Sequence, residues 1–174
     1  NITAFEYEDS IIVVDCGLAS TPAMFMTTVS APLMAAAAVM VTASHLPFNR
    51  NGLKFFTPKG GLDGKDISAI LDIAERGDFD TPRSEGCRAT FDFMTAYSHH
   101  LARYIRDGVG SDDYLHPLAG MHIIVDAGNG NGGFFEKVLR SLGAETTGSQ
   151  FPNPDGHFPN HIPNPENAEA MASV

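Results

Sequence analysis

Short apolar runs bounded by Gly, Pro and Asp alternate along the chain with segments whose apolar residues recur every three or four positions. That alternation predicts an α/β fold, a mixed sheet layered with helices. Ile11 to Asp15 reads as a strand ending in Asp-Cys-Gly. Thr21-Pro22 then opens a helix through Ala23, Met24, Phe25 and Met26, with proline close to its first turn. Ala35 to Val41, small and β-branched, reads as a buried strand, although such an Ala-rich run is also compatible with helix. Leu53 to Phe56 reads as the next strand, and Pro58-Lys59-Gly60-Gly61 as a turn. Ile67, Ile70, Leu71 and Ala74 predict an amphipathic helix from Gly64 to Arg76. A polar stretch from Gly77 to Gly86 separates it from a second helix, in which Phe91, Met94, Tyr97, Leu101 and Tyr104 recur and which runs to Arg106.

Asp107 to Pro117, rich in Gly and Asp and closed by Pro, reads as a linker, with a domain boundary near residue 116 and a new strand beginning at Met121. His122 to Asp126 is strand-like, and Gly128-x-Gly130-x-x-Gly133 leads into a helix with Phe134, Phe135, Val138, Leu139 and Leu142 on its apolar side. Taken literally, those glycines match a dinucleotide fingerprint and suggest an oxidoreductase. The alternative is a tight strand-to-helix turn, where glycine is needed for backbone freedom. The tight turn is preferred, because the acidic residue expected about twenty positions on has no counterpart in Thr146-Thr147-Gly148-Ser149-Gln150. Phe151 to Pro165 is rich in Pro and Asn. Its Asp155, His157 and His161 suggest either a metal site or, with the prolines, a rigid extended loop. Asn164, Pro165 and Glu166 predict a helix start. Ser98-His99-His100 is not read as a metal site, since adjacent helical residues point about 100° apart.

A hydrophobic content of 43% over 174 residues supports a buried core, in one sizeable domain or two small ones. The net charge of −10 argues against nucleic acid as a partner. Cys16 and Cys87 are far apart and form no metal pattern, which implies reduced thiols, with Cys16 packed at a strand end. No apolar run is long enough to span a membrane, and the N-terminus lacks the pattern of a signal peptide. The expected location is the cytoplasm, or a plastid if a transit segment preceded Asn1.

The candidate chemistry lies in Thr42-Ala43-Ser44-His45-Leu46-Pro47, followed by Asn51-Gly52-Leu53-Lys54. These polar residues follow a strand-like run, and α/β sheets place ligand sites at the carboxyl ends of strands. Pro47 stiffens the loop and biases Leu46 towards an extended conformation. A bare serine hydroxyl is a weak nucleophile, so phosphoryl chemistry at Ser44 requires an acid/base group and a cation, with His45 and Lys54 as candidates. From these residues alone, an ordinary structural loop remains the other reading.

The segment closely resembles the active-site serine loop of the α-D-phosphohexomutases, the family of phosphoglucomutases and phosphomannomutases. Gly120 to Gly133 resembles the opening of that family's second domain. Asp155-Gly156-His157-Phe158-Pro159-Asn160-His161-x-Pro163-Asn164-Pro165 resembles a later loop of the same domain. The resemblance implies that Ser44 is the phosphoserine, which gives its phosphate to a hexose monophosphate and recovers it from a hexose 1,6-bisphosphate. It also implies that His45 is an active-site neighbour and Lys54 a general acid/base. Mg²⁺ would contact Ser44 through its phosphate. Leu46 departs from the family, which has Asn before the loop proline, and so removes a side-chain hydrogen bond from the loop.

The resemblance further implies two similar domains, residues 1–116 and an incomplete second domain over 117–174. The family's Asp-Gly-Asp-x-Asp-Arg magnesium loop does not occur in the chain. The expectation is a piece of a longer phosphosugar enzyme, inactive alone. A truncated, non-catalytic homologue with a binding or regulatory role is the alternative.

Overall fold

The computed structural model describes residues 2–7, 10–15, 18–79 and 86–172, and the chain forms two compact units. One comprises residues 1–42 and 53–93, the other 43–52 and 94–174.

The first unit is a six-stranded mixed sheet of β1 (Ile2–Tyr7), β2 (Ser10–Asp15), β3 (Ala37–Val41), β4 (Leu53–Thr57), β5 (Gly60–Gly61) and β6 (Cys87–Phe91), in the order β5-β4-β3-β2-β1-β6. Only β2 and β3 pair in parallel, with Ile12 opposite Ala37 and Val14 opposite Val39. A parallel pair needs a crossover, and α1 (Thr21–Val29) supplies it. Its start is fixed by Pro22 in the first turn and by the Ser20 hydroxyl, which accepts from the Ala23 N–H at 3.3 Å. Ala23, Met24, Thr27 and Thr28 form its buried face. The two threonine hydroxyls donate to the Met24 and Phe25 carbonyls at 2.6 and 2.7 Å, so neither is buried without a partner.

α2 (Gly64–Arg76) spans the predicted residues, yet buries none of them. Leu71 on its apolar stripe is 62% exposed. Its ends are well capped: the Asp63 carboxylate accepts from the Lys65 and Asp66 N–H groups at 2.8 and 3.1 Å, and Gly77 closes the helix at φ 62°.

Three strands were not foreseen. β5 takes up Gly60 and Gly61, the last two residues of the stretch read as a turn. β1 lies before the first element expected at Ile11, and β6 places Phe91 on a strand rather than in the second helix. That helix, α3, runs instead from Phe93 to Val109. Cys87 is a free, exposed thiol, while Cys16 and most of the polar stretch from Gly77 to Gly86 lie outside the described residues.

α3 groups with the second unit, whereas composition places the domain boundary near residue 116. The reason is packing. Ala102 joins Leu118, Val138, Leu139, Leu142 and Ala144 in a buried cluster, with Leu101 and Ile105 packed against it. α4 (Phe134–Ser141) presents Val138 and Leu139 to that cluster.

The strand expected over His122 to Asp126 is reduced to two isolated parallel bridges, His122 with Glu145 and Asp126 with Gln150. Between those points the partner segment folds into a turn, in which Ser149 N–H donates to the Thr146 carbonyl at 3.1 Å. The Ser149 hydroxyl takes the place of a ladder carbonyl and accepts from the Val125 N–H at 3.1 Å. The last helix, α5 (Ala168–Met171), starts later than Asn164-Pro165-Glu166 predicts and is capped by Asn167. Asn164 instead closes a turn, its side chain accepting from the Glu166 N–H at 3.0 Å.

Candidate active site

The chain leaves β3 at Val41 and returns in β4 at Leu53, and Ser44 stands near the start of the intervening loop. Ser44 is exposed and holds φ at 57°, in the left-handed region that non-glycine residues seldom occupy. Strain of this kind costs on the order of 1–3 kcal/mol and collects at functional sites. Two backbone hydrogen bonds shape the loop: Leu46 N–H donates to the Ala43 carbonyl at 3.1 Å, and Arg50 N–H to the Pro47 carbonyl at 2.9 Å. Ser44 Oγ lies 3.3 Å from His45 Nδ1, a hydrogen bond whose direction follows the imidazole tautomer. Lys54 is exposed on β4, opposite Met40 of β3.

In the second unit the glycine turn packs against the Pro- and Asn-rich loop. A Cβ on Gly133 would lie 2.0 Å from the Pro152 carbonyl oxygen, and one on Gly128 2.8 Å from the His161 ring. Asn129, buried at φ 59°, donates its N–H to the Phe151 carbonyl at 3.0 Å and its carboxamide to the Asn153 carbonyl at 3.0 Å. Its own carbonyl accepts from the Asp155 N–H at 2.8 Å. Gly128 and Gly133 therefore serve a close approach of one loop to another, and Gly128 at φ 52° also has the backbone freedom that a tight turn uses.

The histidines of that loop pair with different carboxylates. His161 Nε2 lies 3.0 Å from Asp126 Oδ2, both largely buried, while its Nδ1 lies 2.9 Å from the Ile162 carbonyl. With an acceptor facing each nitrogen, the doubly protonated ring is favoured. The Ile162 carbonyl, then the Asp126 carboxylate, hold the His161 pKa above its ordinary value against the opposing effect of burial. His157 Nδ1 lies 3.2 Å from Asp155. The His157 N–H, then its ring, keep the exposed Asp155 carboxyl below the usual carboxylate range. Among the described residues, no group of three or more His, Cys, Asp or Glu side chains is placed to hold a metal ion. The metal reading of Asp155, His157 and His161 is thereby unsupported.

Sequence reasoning missed one feature. The serine loop and the loop around residues 157–164 line a common cavity of about 490 Å³, walled by His45, Leu46 and Phe48 on one side and His157, Ile162 and Asn164 on the other. The Phe48 and His157 rings lie 5.7 Å apart, tilted by 36°. More than a hundred residues separate these loops in sequence, so only the folded chain brings them together.

Comparisons with known proteins agree with this architecture. Residues 6–81 match the family model described as phosphoglucomutase/phosphomannomutase, alpha/beta/alpha domain I, and residues 95–174 match that of domain II. Ser44, His45 and Lys54 all fall within the first match. The chain is 32% identical to a phosphoglucomutase of Neisseria gonorrhoeae, covering 96% of the chain and 34% of that protein. It is 34% identical to a phosphomannomutase of Salmonella typhimurium, covering 88% and 33%, and 35% identical to a probable phosphoglucosamine mutase of Methanopyrus kandleri, covering 88% and 32%. A solved structure of a phosphoglucomutase/phosphomannomutase family protein from Burkholderia thailandensis superposes with a TM-score of 0.71 at 26% identity, over 92% of this chain and 34% of the other. The chain thus spans about a third of the length of the relatives it matches. Among the described residues, no helix is long and apolar enough to cross a membrane.

Proposed function

Because the chain belongs to the phosphoglucomutase/phosphomannomutase family, we propose that it carries the phosphoryl-transfer serine of a phosphohexomutase, an enzyme that interconverts hexose 1-phosphates and hexose 6-phosphates. The observation that carries this reading is the exposed Ser44 at φ 57°, with His45 Nδ1 3.3 Å from its hydroxyl.

In the proposed reaction, Ser44 starts as a phosphoserine. A hydroxyl of a hexose monophosphate attacks the phosphorus, its O–P bond forms, and the bond to Ser44 Oγ breaks. The sugar hydroxyl gives up its proton and Ser44 Oγ ends as a neutral hydroxyl. Lys54 is the proposed carrier of that proton, and His45 orients the phosphoserine or its acceptor. The hexose 1,6-bisphosphate then returns its other phosphoryl group to Ser44, reversing each bond change.

A cation beside the phosphoserine is electrostatically reasonable, because the phosphate brings about −1.5 to −2 charges at neutral pH. Mg²⁺ is the proposed ion, contacting Ser44 through its phosphate. Among the described residues no cluster of His, Cys, Asp or Glu side chains would hold it without that phosphate. The chain spans about a third of the length of its relatives, and by itself it is proposed to turn over hexose phosphates poorly or not at all. The substrate class is a small phosphosugar and the proposed location the cytoplasm; the −10 net charge disfavours nucleic acid as a partner.

Ser44→Ala in the protein at its natural length tests the reading. Loss of the covalent route is expected to lower hexose phosphate turnover by at least about a thousandfold, and unchanged turnover would refute it.

A further inference from the structure

The chain contains three Asn-Gly pairs, Asn51-Gly52, Asn129-Gly130 and Asn131-Gly132. Such a pair carries its own chemistry. The main-chain nitrogen of the glycine attacks the asparagine side-chain carbon, a cyclic imide closes, and ammonia leaves with the proton that the nitrogen loses. Water then opens the ring. Opening at the former side-chain carbonyl gives aspartate, and opening at the main-chain carbonyl gives isoaspartate, with an extra methylene in the backbone. Glycine favours the attack because no Cβ shields its nitrogen. The reaction needs a carboxamide free to turn, an unengaged glycine N–H and access to water.

The folded chain treats the three pairs differently. Asn129 is 8% exposed, and its carboxamide nitrogen donates to the Asn153 carbonyl at 3.0 Å while its side-chain oxygen accepts from Asn160 at 2.6 Å. The N–H of Gly130 donates to the Ala127 carbonyl at 2.7 Å. Asn131 lies in the 3₁₀ turn Asn131–Gly133 that leads into α4, with its carboxamide nitrogen buried. A helical backbone there points the next nitrogen away from the side chain. Asn51 differs on each count. It is exposed, it belongs to no helix or strand, and among the described residues no hydrogen bond engages its carboxamide or the Gly52 N–H. Asn153 and Asn164 precede prolines, whose nitrogen has no proton to lose.

We infer that Asn51 is the site at which the folded protein spontaneously deamidates, and that the product slows the phosphoryl transfer proposed for Ser44. The second clause rests on the proposed function. Asn51 stands in the loop that carries Ser44, three positions before Lys54. A carboxylate there repels an anionic phosphosugar and favours the protonated form of a neighbouring lysine. Isoaspartate also lengthens the main chain two residues before β4 begins at Leu53.

The test holds the protein at its natural length at mildly alkaline pH and digests samples at intervals. Mass spectrometry follows each Asn-Gly pair, and isoaspartyl methyltransferase labels isoaspartate. Each hydrogen bond that must open slows the attack by about fivefold, so the three at Asn129 and Gly130 imply conversion on the order of a hundredfold slower there than at Asn51. In denaturant the three pairs should convert at similar rates. Equal rates at all three in the folded protein, or an Asn51 that stays intact there while converting in denaturant, would overturn the proposal. Turnover of hexose phosphate should fall in step with conversion of Asn51, and Asn51→Asp, which carries the charge from the start, should lower turnover severalfold. If Asn51 converts and turnover holds, the effect on the reaction is overturned and the modification stands. If Ser44 never takes phosphate from hexose 1,6-bisphosphate, the mutase reading falls, and the peptide measurements still decide Asn51.

Discussion

Replacing Gly133 by Ala probes the packing that positions the second unit's loops. Gly133 is in a helical backbone conformation, φ −61° and ψ −22°, so alanine there meets no dihedral penalty. Its Cβ would lie 2.0 Å from the Pro152 carbonyl oxygen and 2.8 Å from the Pro152 carbonyl carbon. Restoring ordinary contact, which begins near 3.4 Å, requires the backbone at Pro152 to retreat by roughly 1.4 Å (3.4 less 2.0). Such a retreat pulls on three hydrogen bonds: Asn129 to Phe151 and to Asn153, each 3.0 Å, and Asp155 to Asn129, 2.8 Å. At about 1 kcal/mol per hydrogen bond the loss is about 3 kcal/mol, at the upper end of the 1–3 kcal/mol typical of overpacking. For a chain of this size that corresponds to a fall in Tm of about 6–12 °C.

Gly132→Ala is the matched control. Its Cβ would find only ordinary contacts at 3.7 Å, and the expected change is near zero or slightly stabilising. Thermal unfolding of the two variants, followed by circular dichroism, decides the matter. Equal stability of Gly133→Ala and the parent would refute the close approach of the two loops as the reason for glycine here.

Asp63→Ala removes the cap of α2, a helix with no buried residue, and should cost about 1 kcal/mol, read as faster hydrogen exchange over its first turn. His161 gives a pH dependence. Its folded pKa is raised above the ordinary 6.5, so its stabilising contribution is complete below about pH 6.5 and is lost as pH rises through the folded value. Tm should therefore carry a component that declines with rising pH across that window. His161→Asn should flatten the decline, and an identical slope in the variant would contradict the pairing with Asp126.

The elements with strong local signals were legible in the sequence. α2 was readable because Ile67, Ile70, Leu71 and Ala74 recur at helical spacing, while its Asp63 and Gly77 caps, and the 62% exposure of Leu71, came only with the structure. β2, β3 and β4 were readable as apolar runs bounded by Gly, Pro and Asp. β6 was not, since Cys87-Arg88-Ala89-Thr90 is an exposed edge strand with no apolar alternation. Its final Phe91 also falls into the period of the helix that follows. The Gly- and Asp-rich segment from Asp107 to Pro117 looked like a boundary, but α3 before it takes part in the same buried cluster as Leu118 and Leu142 after it.

At the candidate site, Ser44, His45 and Lys54 were singled out from loop chemistry and family resemblance, and the positive φ of Ser44 adds a physical mark that sequence does not carry. Phe48, His157 and Ile162 were beyond sequence reasoning as cavity residues. They come together only in the folded chain, from loops more than a hundred residues apart in sequence.

The central claim is that Ser44 carries phosphate. Mass spectrometry on the protein at its natural length measures the Ser44 peptide before and after incubation with hexose 1,6-bisphosphate and Mg²⁺. The account predicts one phosphate on Ser44 that increases with bisphosphate and passes to added hexose monophosphate. A Ser44 peptide that stays bare under all these conditions would contradict it.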